Sequence, residues 1–319
     1  MVYFFSVYFF IKRFYIYLTS NIINMAENNE ENRKISDYIT YPRTFENYRW
    51  YKPILVFIVV LIMYVIFLII IDVVFGNIFG SKLVDSLMEG GYEVLNNPLG
   101  ELLSDLTLVI MIPSLYIATK IVKDRPFSSY SSSRGGWNSK LYFKALIIPF
   151  IMTIAFMLLG IVIDGADPNA VNHFSVEYLI LSLIFIPLQC ISEEYIFRGF
   201  FMQTFGSWFK IPVLAIILQS IVFTVGHGYN LVGLIEIFIS GCIFGFLAWK
   251  TSGIEVTSAL HTANNLTISL LVQFGLIVTS STVGITDVLI STVFDILLCG
   301  VIYYIGIKTD WYGEIKEVQ

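Results

Sequence analysis

The sequence predicts an all-α fold, a polytopic membrane helical bundle of about eight transmembrane helices. Of its 319 residues, 56% are hydrophobic and only 13% are charged, and the mean hydropathy is +0.77. A typical soluble domain has about 25% charged residues. The chain also contains apolar runs close to the ~20 residues that a membrane-spanning helix needs. These runs lie at about 53–75, 102–122, 142–163, 178–200, 211–229, 231–249, 255–277 and 285–307.

Basic residues are unequally distributed among the connections between these runs. They precede the first run and follow the even-numbered runs, at Arg33, Lys34, Arg43, Arg49, Lys52, Lys123, Arg125, Arg134, Lys140, Lys144, Arg198, Lys210, Lys250, Lys308 and Lys316. The odd-numbered connections hold only Lys82. Cytoplasmic loops carry the excess of Lys and Arg in membrane proteins. The pattern therefore predicts a multi-pass protein of the cell membrane with both termini in the cytoplasm.

Residues 1–52 are predicted to form a cytoplasmic or interfacial segment. A cleaved signal peptide is not expected, because Lys12 and Arg13 follow the first apolar stretch instead of preceding it. Met25 opens a polar run and is a candidate true start, in which case residues 1–24 are not translated.

Polar composition marks other parts of the chain as lying outside the membrane. Residues 25–50 indicate a solvated tail, and residues 126–139, which contain Ser and Gly, indicate a flexible cytoplasmic loop. Residues 53–307 are then one transmembrane domain, and residues 308–319 are a cytoplasmic tail.

Charge and cysteine content exclude two further classes of protein. The chain has 19 Lys and Arg against 24 Asp and Glu, a net charge of −5, so no basic face is available for nucleic acid. Cys190, Cys242 and Cys299 all lie in apolar runs. They are expected to be small buried hydrophobic residues and not a disulfide framework or a zinc knuckle.

Ionisable residues are informative in a membrane, because each is costly unless it is paired or faces a cavity. Glu193, Glu194 and Arg198 all fall in the fourth apolar run. Glu194 and Arg198 are four residues apart in the orientation that favours a helical ion pair. Glu193 lies about 100° around the helix from Glu194, so it is left to face another partner.

Two of the three histidines also fall in apolar runs, His227 in the fifth and His261 in the seventh. His261 and Asn265 are four residues apart, so both side chains project from one helix face. The third histidine, His173, lies in a polar loop and is expected to be solvated.

The depths of these residues constrain how they can meet. If the chain turns near Gly206–Lys210, Glu193 and His227 lie about 20 and 25 Å from the turn, at about 1.5 Å per residue. His261 lies only about 12 Å from the next connection on the same side. All three residues can meet only if the hairpin turn protrudes into the cytoplasm.

Four other acids fall within or beside apolar runs. Asp72 and Asp105 are most simply placed at the ends of membrane spans. Glu236 and Asp295 are left open as ligands or proton relays.

Three motifs, in order, resemble the CAAX protease and bacteriocin-processing (CPBP, Abi) family of intramembrane proteases. The first motif is Glu193-Glu194-Tyr195-Ile196-Phe197-Arg198, the second is Phe223-Thr224-Val225-Gly226-His227, and the third is His261-Thr262-Ala263-Asn264-Asn265. The resemblance covers residues 190–265 by motif. By the order of the spans it suggests a catalytic core at about 140–305.

The resemblance implies a role for each motif residue. Glu193 would be the general base that activates a water, with His227 assisting it. His261 and Asn265 would stabilise the oxyanion of the tetrahedral intermediate. The supporting residues of the site would be Glu194, Arg198 and Phe223.

The resemblance also bears on metal and cofactor use. The relatives favour a metal-free mechanism, so no cofactor is expected. Zinc is the alternative, because two histidines and a glutamate suit it. In that case Glu193, His227 and His261 would be the ligands.

The leading hypothesis is an intramembrane endopeptidase that cuts a peptide bond near the cytoplasmic face of the membrane. Its partners would be membrane lipid and a peptide or lipidated protein. Its function would be removal of prenylated C-termini, or bacteriocin processing and self-immunity. The alternative is a non-catalytic immunity or scaffold protein that binds a peptide or partner in the same cavity. A transporter ranks last, because no internal repeat is evident.

Overall fold

The computed structural model describes residues 37–88 and 91–312. The expectations about Met25 and residues 1–24 lie outside this part of the chain. The main helices are α1 (Lys52–Phe79), α2 (Pro98–Val109), α3 (Met111–Val122), α4 (Ser139–Asp164), α5 (Val176–Glu194), α6 (Gln203–Phe209), α7 (Pro212–Val225), α8 (Leu231–Lys250), α9 (Glu255–Gln273) and α10 (Ile285–Lys308). Shorter helical pieces are Tyr41–Thr44, Ser81–Met88, Gly91–Asn96 and Ser128–Ser131. The all-α class is therefore confirmed.

Six helices of the described chain are long and apolar enough to cross a membrane. They are Lys52–Phe79, Pro98–Val122, Ser139–Asp164, Val176–Phe209, Leu231–Lys250 and Ile285–Lys308. The prediction of a multi-pass membrane protein is thereby confirmed, and the count of about eight spans is not.

The other two predicted spans form helices of a different kind. Helix α7 has 14 residues, which gives a length of about 21 Å, short of the ~30 Å hydrocarbon core. Helix α9 has 19 residues, of which 14 are buried. Because α9 packs against protein, chiefly α4 and α5, it can carry the Ser, Thr, Asn and His side chains that lower its hydropathy.

Side-chain caps fix where several helices begin. Asn97, Asn138, Ser175 and Asn230 each accept a hydrogen bond from a backbone N–H in the first turn of α2, α4, α5 and α8, respectively. Such caps satisfy donors that the helix itself leaves unpaired. The start of α5 sets the register of the two glutamates at its other end.

Residues 129–133, in the middle of the segment 126–139, are buried and hydrogen-bonded to the rest of the protein, so the prediction of a flexible loop is wrong. Ser131 O accepts a hydrogen bond from Ile254 N at 2.9 Å, and Arg134 Nη2 lies 2.6 Å from Glu255 Oε2. The Tyr130 ring lies under the Arg125 guanidinium, 3.6 Å from its Cζ. Burial raises the pKa of the Tyr130 phenol well above its usual range. Small hydroxyl side chains here serve as packing and hydrogen-bonding groups, and composition alone does not distinguish that use from disorder.

Part of the predicted solvated tail is also buried. Tyr38 and Ile39 are at most 1% exposed, and Tyr38 Oη donates a hydrogen bond to Tyr130 O at 2.9 Å. A Cβ on Gly206 would overlap the Ile39 side chain. Residues 38 and 39 of the predicted tail therefore pack on the helical segment that follows the two glutamates.

Two glycines of α8, Gly241 and Gly245, allow α7 to approach closely. A Cβ on Gly245 would lie 2.8 Å from Gln219 Nε2, and a Cβ on Gly241 would lie 3.1 Å from the Ser220 Cβ. This small-x-x-x-small spacing is the usual means by which membrane helices pack backbone to backbone.

We expect Gly245→Val to lower the stability of the protein in detergent by about 1–3 kcal/mol, the cost of overpacking a tight contact. The measurement is thermal unfolding of the purified variant. Gly160→Val is the matched control, because a Cβ on Gly160 of α4 meets nothing within 4 Å. Equal melting temperatures for the two variants would contradict the close α7–α8 contact.

Candidate active site

The two glutamates end α5, where the chain continues into a π-helical segment, Tyr195–Met202. Such segments are uncommon and often lie at functional sites. Glu194 and Arg198 are fully buried, and Glu194 Oε1 lies 2.8 Å from Arg198 Nη1. The ion pair that the spacing predicts is thus present.

Two aromatic rings lie against the Arg198 guanidinium. Its Cζ lies 4.6 Å from the centroid of the Phe223 ring and 5.6 Å from that of Phe244. A cation held over aromatic faces and desolvated in this way is attracted by their quadrupoles. Phe223, from the second motif, therefore contacts a residue of the first.

His261 contacts both glutamates. Its Nδ1 lies 3.2 Å from Glu194 Oε1, and its Nε2 lies 3.5 Å from Glu193 Oε2. Helix α9 places His261 against the end of α5, so the first and third motifs meet. In the imidazolium form both ring nitrogens carry protons, and such a ring can donate to both carboxylates.

Gln189 is a member of this group that the sequence analysis missed. Its Nε2 lies 2.5 Å from Glu193 Oε2, and its Oε1 accepts a hydrogen bond from Asn265 Nδ2 at 3.3 Å. Gln189 thereby joins Glu193 to Asn265. It lies four residues before Glu193, so helical periodicity could have indicated it.

His227 lies close to this group but is held by the backbone of its own helix end. Its Nδ1 lies 2.8 Å from Phe223 O, and its ring centroid lies 4.6 Å from that of Phe223. No hydrogen bond joins it to Glu193 within the described residues. The contact to Glu193 comes from His261 instead.

The sequence places Glu193 and His261 at different depths in the membrane, and the length of the continuous helical segment that carries the glutamates accounts for this difference. Residues Val176–Phe209 run for 34 residues, which gives about 51 Å against the ~30 Å of the hydrocarbon core. The excess lets the Gly206–Lys210 turn extend past the membrane, as the contact between Glu193 and His261 requires.

The zinc alternative can be tested on the donor set. Within the described residues, no three His, Cys, Asp or Glu side chains come together in a way that could hold a metal. Glu193 and His261 are close, but His227 does not join them in a donor group within the described residues. The arrangement of these three residues does not fit a three-ligand zinc site.

Of the remaining acids, Asp72 and Asp105 do not end their helices. Asp72 is exposed within α1, seven residues before its end, and Asp105 is 7% exposed within α2. Glu236 accepts a hydrogen bond from Ser291 Oγ, and Asp295 Oδ2 accepts one from Ser240 Oγ at 2.7 Å. Glu236 and Asp295 thus join α8 to α10.

The fold and the site define a multi-pass helical membrane protein with a buried cluster of carboxylate, imidazole and carboxamide groups. Residues 175–267 match the family model described as type II CAAX prenyl endopeptidase Rce1-like. All three motifs lie within these residues, and the match confirms the resemblance. It supports a protease activity of the CAAX type.

Other comparisons are more limited. The uncharacterized protein YyaK of Bacillus subtilis (strain 168) is 29% identical over 185 residues, which are 54% of this chain. The match spans 62% of the length of YyaK, less than two thirds of that relative. No solved structure matches the chain significantly.

Proposed function

We propose that the protein is a glutamate-dependent intramembrane endopeptidase that hydrolyses a peptide bond near the cytoplasmic face of the membrane. The observation that supports this most strongly is the convergence of Glu193 and His261, from two separate motifs, at 3.5 Å in a buried site. Gln189 and Asn265 complete a group of hydrogen-bonding side chains around the Glu193 carboxylate. A purely structural ion pair would not need them.

The proposed reaction begins with proton transfer from a water to Glu193. The water oxygen forms a bond to the scissile carbonyl carbon, and the carbonyl oxygen becomes an oxyanion. His261 and Asn265 have N–H groups that can stabilise this oxyanion in a low-dielectric site. The C–N bond then breaks, and the proton held by Glu193 passes to the leaving amine nitrogen. The products are a carboxylic acid and an amine.

The Glu194–Arg198 pair has a different task in this scheme. Arg198 neutralises Glu194, and His261 donates from Nδ1 to Glu194. The Nε2 edge of the ring is thereby directed to Glu193. A hydrogen bond to the opposite nitrogen of the ring fixes the orientation of a catalytic imidazole.

The proposal also includes a location in the cell and a class of substrate. The distribution of basic residues favours a cell-membrane location with both termini in the cytoplasm. The substrate is a membrane-associated peptide or protein, for which a prenyl group is one means of attachment.

The test is cleavage of a peptide panel by the purified full chain in lipid nanodiscs, detected by mass spectrometry. Each peptide is supplied in a farnesylated form and an unmodified form of the same sequence. We expect cleavage that persists in the presence of EDTA and 1,10-phenanthroline. Cleavage that stops with chelator and returns with zinc would replace the proposed mechanism by a metal-dependent one. Binding without cleavage would favour the immunity or scaffold alternative.

A further inference from the structure

Asp105 is a buried carboxyl group that the mechanism above does not use. It is 7% exposed and makes no hydrogen bond with any residue that the structure describes. Glu101, one turn before it, is different, because its Oε2 accepts a hydrogen bond from Ser182 Oγ at 2.9 Å. A buried polar group without a protein partner is usually satisfied by an ordered water.

The register between α2 and α5 shows where Asp105 points. Glu101, Asp105 and Val109 are spaced four residues apart and share one face of α2. Glu101 contacts Ser182 of α5, and Val109 O accepts a hydrogen bond from Ser192 Oγ at 3.4 Å. Asp105 lies between these two contacts and therefore faces α5 between Ser182 and Ser192.

Glu193 and Gln189 lie on or beside this stretch of α5. Asp105 interacts electrostatically with both Glu193 and Glu101, and Cys190 interacts electrostatically with both Glu193 and Asp105. Glu193 is itself only 6% exposed. Two carboxyl groups thus lie near one another in a site from which bulk water is largely excluded.

We propose that Asp105 holds an ordered water beside Glu193 and is a positioning residue for the water that Glu193 activates. The inference rests on the proposed function, in which Glu193 is the general base. A hydrolase within a membrane must keep a water next to its general base. Asp105, as a second hydrogen-bonding group opposite Glu193, can hold that water in place. Misplacing a reacting group by a small distance can cost about 100-fold in rate.

The test compares Asp105→Asn with Asp105→Leu, two side chains of similar size. The amide of asparagine still donates and accepts hydrogen bonds, so we expect kcat to fall by no more than about threefold. Leucine cannot hold a water, and we expect kcat to fall by about 10- to 100-fold with little change in KM. Asp72→Leu, on the exposed face of α1, is the control and should cleave at the wild-type rate.

Hydroxyl-radical labelling by X-ray radiolysis tests the water without reference to activity. Cys190 is fully buried, and its Sγ lies 3.1 Å from Oε1 of Gln189, the residue that contacts Glu193. Cys299 is a second buried cysteine that serves as the reference. We expect oxidation of Cys190 in the wild type and in Asp105→Asn. In Asp105→Leu the ratio of Cys190 to Cys299 oxidation should fall severalfold.

The outcomes separate this inference from the proposed function. Unaltered Cys190 labelling or unaltered kcat in Asp105→Leu would overturn the inference while wild-type cleavage still stands. Failure of the wild type to cleave any peptide would overturn the proposed function and, with it, the positioning role. A loss of kcat in both variants, accompanied by a lower melting temperature, would indicate a structural role and would also overturn the inference.

Discussion

Replacing Glu193 with glutamine is expected to lower kcat for peptide cleavage by about 10²- to 10⁴-fold, the range that a positioned general base contributes. Glutamine is nearly isosteric with glutamate and can still hydrogen-bond to Gln189 and His261. It has no basic oxygen that can take a proton from water. KM is expected to change little, because the substrate-binding surface is unaltered.

The measurement is single-turnover cleavage of a peptide from the panel by the wild type and the variant in the same nanodiscs. Glu177→Gln is the matched control, because Glu177 is exposed in the first turn of the same helix. We expect this control to retain full activity. Cleavage by Glu193→Gln at the wild-type rate would refute the assignment of Glu193 as the base. If the wild type and Glu193→Gln both bind the peptide and neither cleaves it, the binding alternative is favoured.

Much of the site follows from helical spacing within apolar runs. Glu194 and Arg198 pair because residues four apart share a face, and the structure has that pair at 2.8 Å. The same rule places His261 and Asn265 on one face of α9, toward α5. Periodicity gives such local neighbours reliably, because it is a property of one helix and does not depend on how helices pack.

Contacts between helices were harder to predict. The contact of His261, in place of His227, with Glu193 depends on the register of α9 against α5. Gln189 was missed because an uncharged amide in an apolar run gives a weak signal. Hydropathy predicts that the second span begins near residue 102 and so places Asp105 near its end, whereas α2 begins at Pro98 and Asp105 lies inside the helix.

The number of spans shows the same limit. Hydropathy identifies segments that avoid water, and α9 avoids it by packing inside the protein, with 14 of its residues buried. The ordered segment 126–139 is the converse case. Its hydroxyl-rich composition resembles a flexible linker, yet Ser132 Oγ donates a hydrogen bond to Ser252 O, and Ser131 O accepts one from Ile254 N. Tertiary packing decides both cases, and the sequence of one segment does not contain that information.

Replacing Arg198 with methionine is expected to be the most destabilising single change at the site, by about 3–5 kcal/mol. Methionine fills a similar volume but carries no charge. Glu194 is fully buried, with its Oε1 on Arg198 and its Oε2 without a hydrogen-bond partner in the described residues. Removing the cation leaves that carboxylate uncompensated except by His261.

The measurement is thermal unfolding in detergent of Glu194→Gln, of Arg198→Met and of the double variant Glu194→Gln/Arg198→Met. The double variant removes both charges, so we expect it to be more stable than Arg198→Met alone. Arg49→Met is the control at an exposed position and should shift stability by no more than about 0.5 kcal/mol.

This double-mutant cycle separates two possible roles of the Glu194–Arg198 ion pair, namely stabilising the fold and orienting His261. If stability returns in the double variant and cleavage does not, the pair serves to orient His261 toward Glu193 and is not needed for folding. Recovery of both stability and cleavage would show that His261 finds its position without Glu194. Additive losses in the two single variants would contradict the ion pair itself, because buried partners in direct contact must show a coupling energy.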